Sequence, residues 1–157
     1  MAGNGDYEAG YYKYSAFSAG VELTEEQWDL FNAAGFDCAS GREVTNRLNN
    51  GVHSWRYRYH GEWPNSILYP GSGSYHGADV SQIFGTAADV SGAPNTKTET
   101  KVSQNMMHAW ATFAADPKNG LLNLGWPRYN PQGIYLYSLS FHSFQNHLLF
   151  PFPPLAE

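Results

Sequence analysis

The sequence predicts an α/β protein in which helices outnumber strands. Two capping boxes, at Thr24 to Gln27 and Thr96 to Glu99, each precede apolar residues at helical spacing. Residues 54–60 alternate aromatic and polar side chains, which is typical of a strand. The 157 residues include 16 Gly and 9 Pro, which indicates many turns and argues against a helical bundle. This length favours a single domain.

Three helices are predicted in the first part of the chain. The Gly- and Asp-rich opening, residues 1–10, is interpreted as a loop that precedes a short helix at 11–17. The first capping box predicts a helix over 24–34, which Gly35 would end. Ser40 is expected to cap a third helix that ends near Gly51. The inward side chains of the second helix are expected to be Trp28, Leu30 and Phe31.

The clearest strand covers residues 54–60, and a long loop follows it. Aromatic side chains occupy one face of this strand and polar side chains the other: Trp55, Tyr57 and Tyr59 against Arg56, Arg58 and His60. Because one strand cannot make a sheet, we expect the aromatic face to need a partner that this chain barely supplies. The loop at 61–77 is longer than ordinary connections, and such loops are usually functional or disordered.

The longest helix is predicted from the second capping box to about Ala115. Its apolar stripe consists of Val102, Met106, Trp110 and Phe113. Asp116-Pro117 would end it, because the residue before a proline disfavours helical backbone. Residues 125–133 are interpreted as irregular, and 134–139 could form another strand.

Composition excludes several classes of partner. The net charge is −5 and no basic run is present, which argues against nucleic acid. No stretch approaches the ~20 apolar residues that a membrane span needs, and the segment after Met1 does not resemble a signal peptide. Cys38 is the only cysteine, so an internal disulfide is not expected. The oligomeric state stays open.

Six histidines are candidates for catalysis or metal binding. Five of them are scattered without the spacing of metal ligands: His53, His60, His108, His142 and His147. Since no HExxH, paired cysteine or His-x-His occurs, we expect no metal and no other cofactor. His76 differs, because it lies in the loop that follows the predicted strand. Loops in this position usually display the catalytic groups of α/β proteins.

Three groups of motifs occur in a fixed order along the chain. Glu8 and Gly10 lie in the opening segment; Tyr75-His76-Gly77-Ala78-Asp79 precedes Phe84-Gly85; and Asp116-Pro117-Lys118-Asn119-Gly120 precedes Gly125-Trp126-Pro127. Together these motifs resemble fungal type-B carboxylesterases, a family that includes secreted lipases and cholinesterases. The resemblance covers residues 2–133, which we treat as the C-terminal portion of such a domain. Residues 134–157 are interpreted as a divergent tail.

The resemblance implies a partial α/β-hydrolase fold, with the C-terminal helices and last strands but without the N-terminal sheet and the nucleophile elbow. It also implies that His76 is the general acid/base and Glu8 the carboxylate that orients it, in the order acid then histidine. Asp79 is the nearest alternative acid, interpreted as a helix cap or a support for the site, and Asp6 is a weaker alternative. The strand that would hold Glu8 is expected to be missing.

The nucleophile of such a triad is not found. Gly-x-Ser-x-Gly does not occur, and its nearest mimic is Ala16-Phe17-Ser18-Ala19-Gly20. A nucleophile elbow follows a strand and precedes a helix. Ser18 instead follows a helical stretch and comes after the acid, so we interpret it as a helix-end serine.

The sequence therefore predicts a carboxylic-ester hydrolase fragment that is inactive alone. When completed, it would act on a small-molecule or lipid ester, and the resemblance implies an extracellular protein. The alternative is a non-catalytic relic that binds a partner or a hydrophobic ligand through its aromatic surface. An autonomous hydrolase that uses Ser18 is the third and least favoured interpretation.

Overall fold

The structure is a computed structural model that describes residues 1–132 and 137–139. Three parallel strands form one sheet in the order β1-β2-β3, with β1 at Ala2–Gly5, β2 at Arg56–Tyr59 and β3 at Tyr137–Leu139. Because the strands are parallel, their carboxyl ends lie at the same edge of the sheet. The segments that follow β1 and β2 therefore begin side by side.

Seven α-helices lie within the described residues. They are α1 Ala9–Ser18, α2 Glu25–Asn32, α3 Cys38–Asn49, α4 Val80–Ile83, α5 Ala87–Ser91, α6 Lys97–Ala115 and α7 Gly120–Asn123. A π-helical segment, Ala33–Asp37, joins α2 to α3. The helices lie on both faces of the sheet, since α3 packs on β1 and β2 while α6 covers the opposite face of β2.

The opening of the chain differs from its prediction as a loop. Residues 2–5 form β1, so the expectation that Glu8 lacks a supporting strand is wrong. The Ala2 N–H donates to the Trp55 carbonyl at 2.9 Å and the Asp6 N–H to the Tyr59 carbonyl at 2.8 Å. Ala-Gly-Asn-Gly has little intrinsic strand preference. Pairing with β2, not local sequence, makes this segment a strand.

Both predicted capping boxes are confirmed. The Thr24 hydroxyl accepts the Gln27 N–H at 3.3 Å, and the Gln27 side chain accepts the Thr24 N–H at 2.8 Å. Thr96 and Glu99 form the same reciprocal pair, each bond 3.1 Å long. The longest helix ends at Ala115, as predicted. Local hydrogen bonds encoded within four residues thus determine both helix starts.

The region around Gly35 departs from prediction. Gly35 does not end the helix, because the backbone continues through the π-helical segment into α3. Ser40 lies inside α3 and does not cap it; its hydroxyl donates to the Asn4 side chain at 3.0 Å. Leu30 is 68% exposed and Phe31 37%, so their predicted inward positions are also wrong, whereas Trp28 is buried as predicted. Asn32 is buried on this helix, and its amide oxygen accepts the Ala9 N–H.

The aromatic face of β2 lies in the core. Trp55 and Tyr59 are fully buried, and Met106 of α6 is packed against them at 0% exposure. The predicted alternation along β2 is therefore confirmed, whereas the expectation that its aromatic face barely finds a partner in this chain is wrong. The stripe of α6 supplies that partner.

The opposite face of β2 is held by polar contacts. Arg56 donates to the Asp37 carbonyl at 2.7 Å, and Arg58 pairs with the Asp37 carboxylate at 3.1 Å. The Asn4 amide donates to the same carboxylate at 2.7 Å. These bonds fix the π-helical segment beside the carboxyl edge of the sheet. No helix within the described residues is both long and apolar enough to cross a membrane.

Candidate active site

Glu8 and His76 meet at the carboxyl edge of the sheet. Glu8 lies between the end of β1 and the start of α1, and His76 lies in the loop between β2 and α4. The Glu8 Oε2 atom is 2.7 Å from the His76 Nδ1 atom, although the two residues are 68 positions apart. The structure thus brings together the two residues that the sequence singled out.

The Glu8 carboxylate is almost fully removed from water. Its side chain is 5% exposed, and its Oε1 atom accepts the Gly5 N–H. Burial raises the pKa of Glu8, while the hydrogen bonds from Gly5 and His76 oppose that rise. Because a buried carboxylate has lost most of its hydration, its charged form depends on nearby hydrogen-bond donors and positive charges for stabilisation. The Gly5 N–H and the His76 ring are the hydrogen-bond partners of this buried carboxylate.

The His76 ring is held on one side and open on the other. Its side chain is 48% exposed. Because Nδ1 faces Glu8, Nε2 lies on the opposite side of the ring, where a triad histidine exchanges its proton. The rings of Tyr12 and Phe36 lie 5.5 and 5.2 Å from it, centroid to centroid. The two aromatic rings therefore lie beside the imidazole.

Sequence reasoning missed the two aromatic neighbours of His76. Tyr12 follows Glu8 by four positions, and this spacing puts both on one side of α1. That spacing was the available signal. Phe36 belongs to the π-helical segment, and nothing in its local sequence indicated a position beside the histidine. Phe31 packs on both of these rings at the surface.

The alternative acid Asp79 is hydrogen-bonded to a tyrosine of β2. It occupies the N-cap position of α4, although its side chain makes no capping bond there. Its carboxylate accepts the Tyr57 hydroxyl at 2.8 Å. Burial beside Asp79 raises the pKa of Tyr57, so its hydroxyl stays a hydrogen-bond donor. Asp79 therefore ties the end of the histidine loop to β2.

Asp6, the weaker alternative acid, pairs with another histidine. Its Oδ1 atom is 2.8 Å from the Arg58 Nε atom and 3.3 Å from the His60 Nδ1 atom. The hydrogen bond with His60, together with the charge of Arg58, lowers the pKa of Asp6. This second histidine–carboxylate pair was not predicted, since His60 looked like one of the scattered histidines.

Ser18 lies away from the pair. It is the last residue of α1, where its hydroxyl donates to the Tyr14 carbonyl at 3.2 Å. The ten residues of α1 rise about 15 Å along the helix axis, so Ser18 is far from the first turn that contacts His76. Its interpretation as a helix-end serine is confirmed. Within the described part of the chain, no three His, Cys, Asp or Glu residues gather as metal ligands.

Two fungal proteins are similar to this chain. "Secreted lipase 5" of Gibberella zeae is 32% identical over 123 residues, which are 77% of this chain and 23% of that protein. "Chlorogenic acid esterase" of Aspergillus niger is 36% identical over 87 residues, which are 55% of this chain and 17% of that protein. The chain thus spans about a quarter or less of the length of these curated relatives.

The sequence profile of the Carboxylesterase family matches residues 11–149. The match includes α1 to α7 except for the start of α1, and it contains His76 but not Glu8. The match also continues past residue 133. The predicted boundary at residue 133, between a family portion and a divergent tail, stays a prediction. With three parallel strands and helices on both faces, the structure is consistent with part of an α/β-hydrolase fold. The chain belongs to the carboxylesterase family.

Proposed function

We propose that this chain is the acid- and histidine-bearing part of a carboxylic-ester hydrolase. One observation carries the proposal: a buried carboxylate, Glu8, contacts the ring of a half-exposed histidine, His76, at 2.7 Å. Family membership and the printed names of the relatives, a lipase and an esterase, support the reaction class. The name "Secreted lipase 5" also supports an extracellular setting.

The chemistry would follow the logic of a serine triad. His76 takes the proton of a serine hydroxyl through Nε2 while the serine oxygen attacks the ester carbonyl, and it then gives that proton to the departing alcohol. Water next attacks the acyl-serine with the same assistance. Glu8 keeps the other proton on Nδ1 and stabilises the imidazolium as it forms. Its burial strengthens that stabilisation, because little water screens the two charges.

The serine would come from sequence outside this chain. Gly-x-Ser-x-Gly is missing from the 157 residues, and Ser18 lies at the far end of α1. We therefore expect the isolated chain not to hydrolyse esters. The substrate class would be a small-molecule or lipid ester, which the printed names of the relatives, a lipase and an esterase, support.

A chimera tests this proposal directly. The part of the Gibberella zeae relative that aligns with this chain is replaced by the chain, and hydrolysis of p-nitrophenyl butyrate is measured. His76→Ala should lower kcat by about 10⁶-fold, as removal of a triad histidine does. His60→Ala is the matched control, because it removes a nearby histidine that does not contact Glu8. Full activity of the His76→Ala chimera would refute the proposed role.

The isolated chain offers a second test. Turnover of the same ester by the 157-residue protein, abolished by Ser18→Ala, would show that it contains its own nucleophile. Turnover at the level of buffer is the expected result. If the chimera folds but its hydrolysis does not depend on His76 or Glu8, a non-catalytic, ligand-binding role would become the better hypothesis.

A further inference from the structure

The segments that carry Glu8 and His76 contact each other through their backbones. We define the acid segment as residues 5–10 and the histidine loop as residues 69–79. The Tyr7 N–H donates to the Ser74 carbonyl and the His76 N–H to the Glu8 carbonyl, both at 3.4 Å. The Tyr69 hydroxyl donates to the Gly10 carbonyl at 2.9 Å. The geometry of the pair therefore depends on how closely these two backbones approach.

Two glycines stand at the ends of the acid segment, where the approach is tightest. A Cβ atom at Gly5 would lie less than 3.0 Å from the Ser74 carbonyl oxygen. A Cβ atom at Gly10 would lie less than 3.0 Å from the Ser72 carbonyl oxygen. Both obstacles are backbone atoms, so no side-chain rotation can make room. A methyl group at either position must move one backbone away from the other.

The histidine loop cannot easily move away from the acid segment, because two of its serine side chains are buried and hydrogen-bonded. Ser72 and Ser74 are each 1% exposed. The Ser74 hydroxyl donates to the Gly61 carbonyl at 3.1 Å, and the Ser72 hydroxyl accepts the Leu68 N–H at 3.3 Å. The two carbonyls that face the glycines are thus fixed by the packing around their own side chains.

Backbone conformation does not explain these two glycines. Neither Gly5 nor Gly10 has a positive φ, so alanine could adopt the local backbone at both positions. Gly35 provides the contrast: it also lacks a positive φ, and a Cβ atom there meets nothing within 4 Å. Gly35 precedes Phe36, which contacts His76, so it lies close to the same site. It is a matched control for the loss of a glycine.

We propose that Gly5 and Gly10 are positioning residues for the Glu8–His76 pair. Their lack of side chains sets the separation of the acid segment and the histidine loop. Restoring ordinary contact around an added methyl group requires a shift of about 1 Å, and displacements of that size are known to cost about 10²-fold in rate. The same shift lengthens the 2.7 Å contact beyond hydrogen-bond range. The chemical use of this positioning rests on the proposed function.

The test is NMR spectroscopy of the 157-residue chain with ¹⁵N-labelled histidine. A proton on Nδ1 that is shared with a buried carboxylate gives a low-field resonance, which Glu8→Gln should abolish and so assign. We expect the resonance in the wild type and in Gly35→Ala. It should be lost in Gly5→Ala and in Gly10→Ala while near-ultraviolet circular dichroism shows that the core stays folded.

The outcomes separate this inference from the proposed function. An unchanged resonance in a folded Gly5→Ala or Gly10→Ala variant would overturn the inference. Unfolding of both variants, with Glu8→Gln folded, would also overturn it, because the glycines would then serve folding and not the pair. The measurement needs no substrate. If the resonance behaves as expected but the chimera does not hydrolyse esters, only the proposed function fails.

As a quantitative check, Gly5→Ala in an active chimera should lower kcat/KM by about 10²-fold, whereas Gly35→Ala should leave it unchanged. Equal losses in the two variants would contradict positioning by the close backbone approach. They would indicate a general sensitivity of the fold to substitution of glycine.

Discussion

Two histidine–carboxylate pairs lie at the carboxyl edge of the same sheet. In one, Glu8 contacts His76 at 2.7 Å and its side chain is 5% exposed. In the other, Asp6 contacts His60 at 3.3 Å and its side chain is 49% exposed. Burial raises the pKa of Glu8, whereas the hydrogen bond with His60 lowers the pKa of Asp6. Both groups are carboxylates beside a histidine, and they differ in burial.

The difference shows how environment divides roles between similar residues. Asp6 also pairs with Arg58, and water reaches its half-exposed carboxylate and screens its charge. Among the described residues, the hydrogen-bond and ion-pair contacts of the Glu8 carboxylate include no arginine or lysine. The side chain that this carboxylate contacts, at 2.7 Å, is the His76 ring. Perturbed carboxylates in such positions are enriched at functional sites.

Of the effects that distinguish the two pairs, the largest is expected on catalytic activity. In the chimera, Glu8→Gln should lower kcat by about 10⁴-fold, because the histidine loses the carboxylate that fixes its tautomer. Asp6→Asn, the matched amide substitution in the other pair, should leave kcat within a few-fold of the unchanged chimera. Steady-state hydrolysis of p-nitrophenyl butyrate measures both. Comparable losses would mean that the two pairs are not distinct in function.

A smaller effect is expected on the anchor of the histidine loop. Tyr57→Phe leaves the Asp79 carboxylate without the hydroxyl that now donates to it, and such a loss costs about 1–3 kcal/mol. Urea unfolding of the chain measures the change. The double variant Tyr57→Phe/Asp79→Asn should be less destabilised than the sum of the two single changes. Simple additivity would argue against the Tyr57–Asp79 bond as a stabilising contact.

The pH dependence of stability should have opposite signs in the two pairs. The folded-state pKa of Glu8 lies above its ordinary value of 4.5, so the folded state binds more protons there. Its contribution to the free energy of unfolding therefore falls as pH rises from about 4.5 through the raised value. The pKa of Asp6 lies below its ordinary value of 3.8, so its contribution is present above pH 3.8 and is lost as pH falls below it.

Urea unfolding across acid pH, with Glu8→Gln and Asp6→Asn beside the wild type, measures these contributions by difference. The wild type should lose stability relative to Glu8→Gln as pH rises from about 4.5 through the raised pKa of Glu8. It should lose stability relative to Asp6→Asn as pH falls below 3.8. Slopes of the same sign would contradict the contrast in burial between the two carboxylates.

The smallest effect concerns the exposed pair at neutral pH. Asp6→Asn should destabilise the chain by less than about 1 kcal/mol, because exposed ion pairs contribute little. The difference should shrink further in high salt, which screens exposed charges. A larger, salt-independent loss in thermal or urea unfolding would show that Asp6 behaves like a buried carboxylate after all.

The sequence predicted some elements of the fold and failed on others for physical reasons. The start and end of α6 were predictable because Thr96 and Glu99 bond within one turn and Asp116-Pro117 stops the helix. The π-helical continuation through Gly35 was not, since the bonds of Asp37 to the arginines of β2 hold that segment in place. Local signals determine where a helix starts, and distant contacts decided how this one continued.

By itself, the sequence determined the candidate acid and histidine, both capping boxes and the buried face of β2. Each of these depends on motif order, on four-residue hydrogen bonding or on the two-residue period of a strand. Only the tertiary structure decided that Ala2–Gly5 forms a strand, that Asp6 pairs with His60, and that Gly5 faces the Ser74 carbonyl. These depend on the approach of segments tens of residues apart, which packing of the whole chain sets.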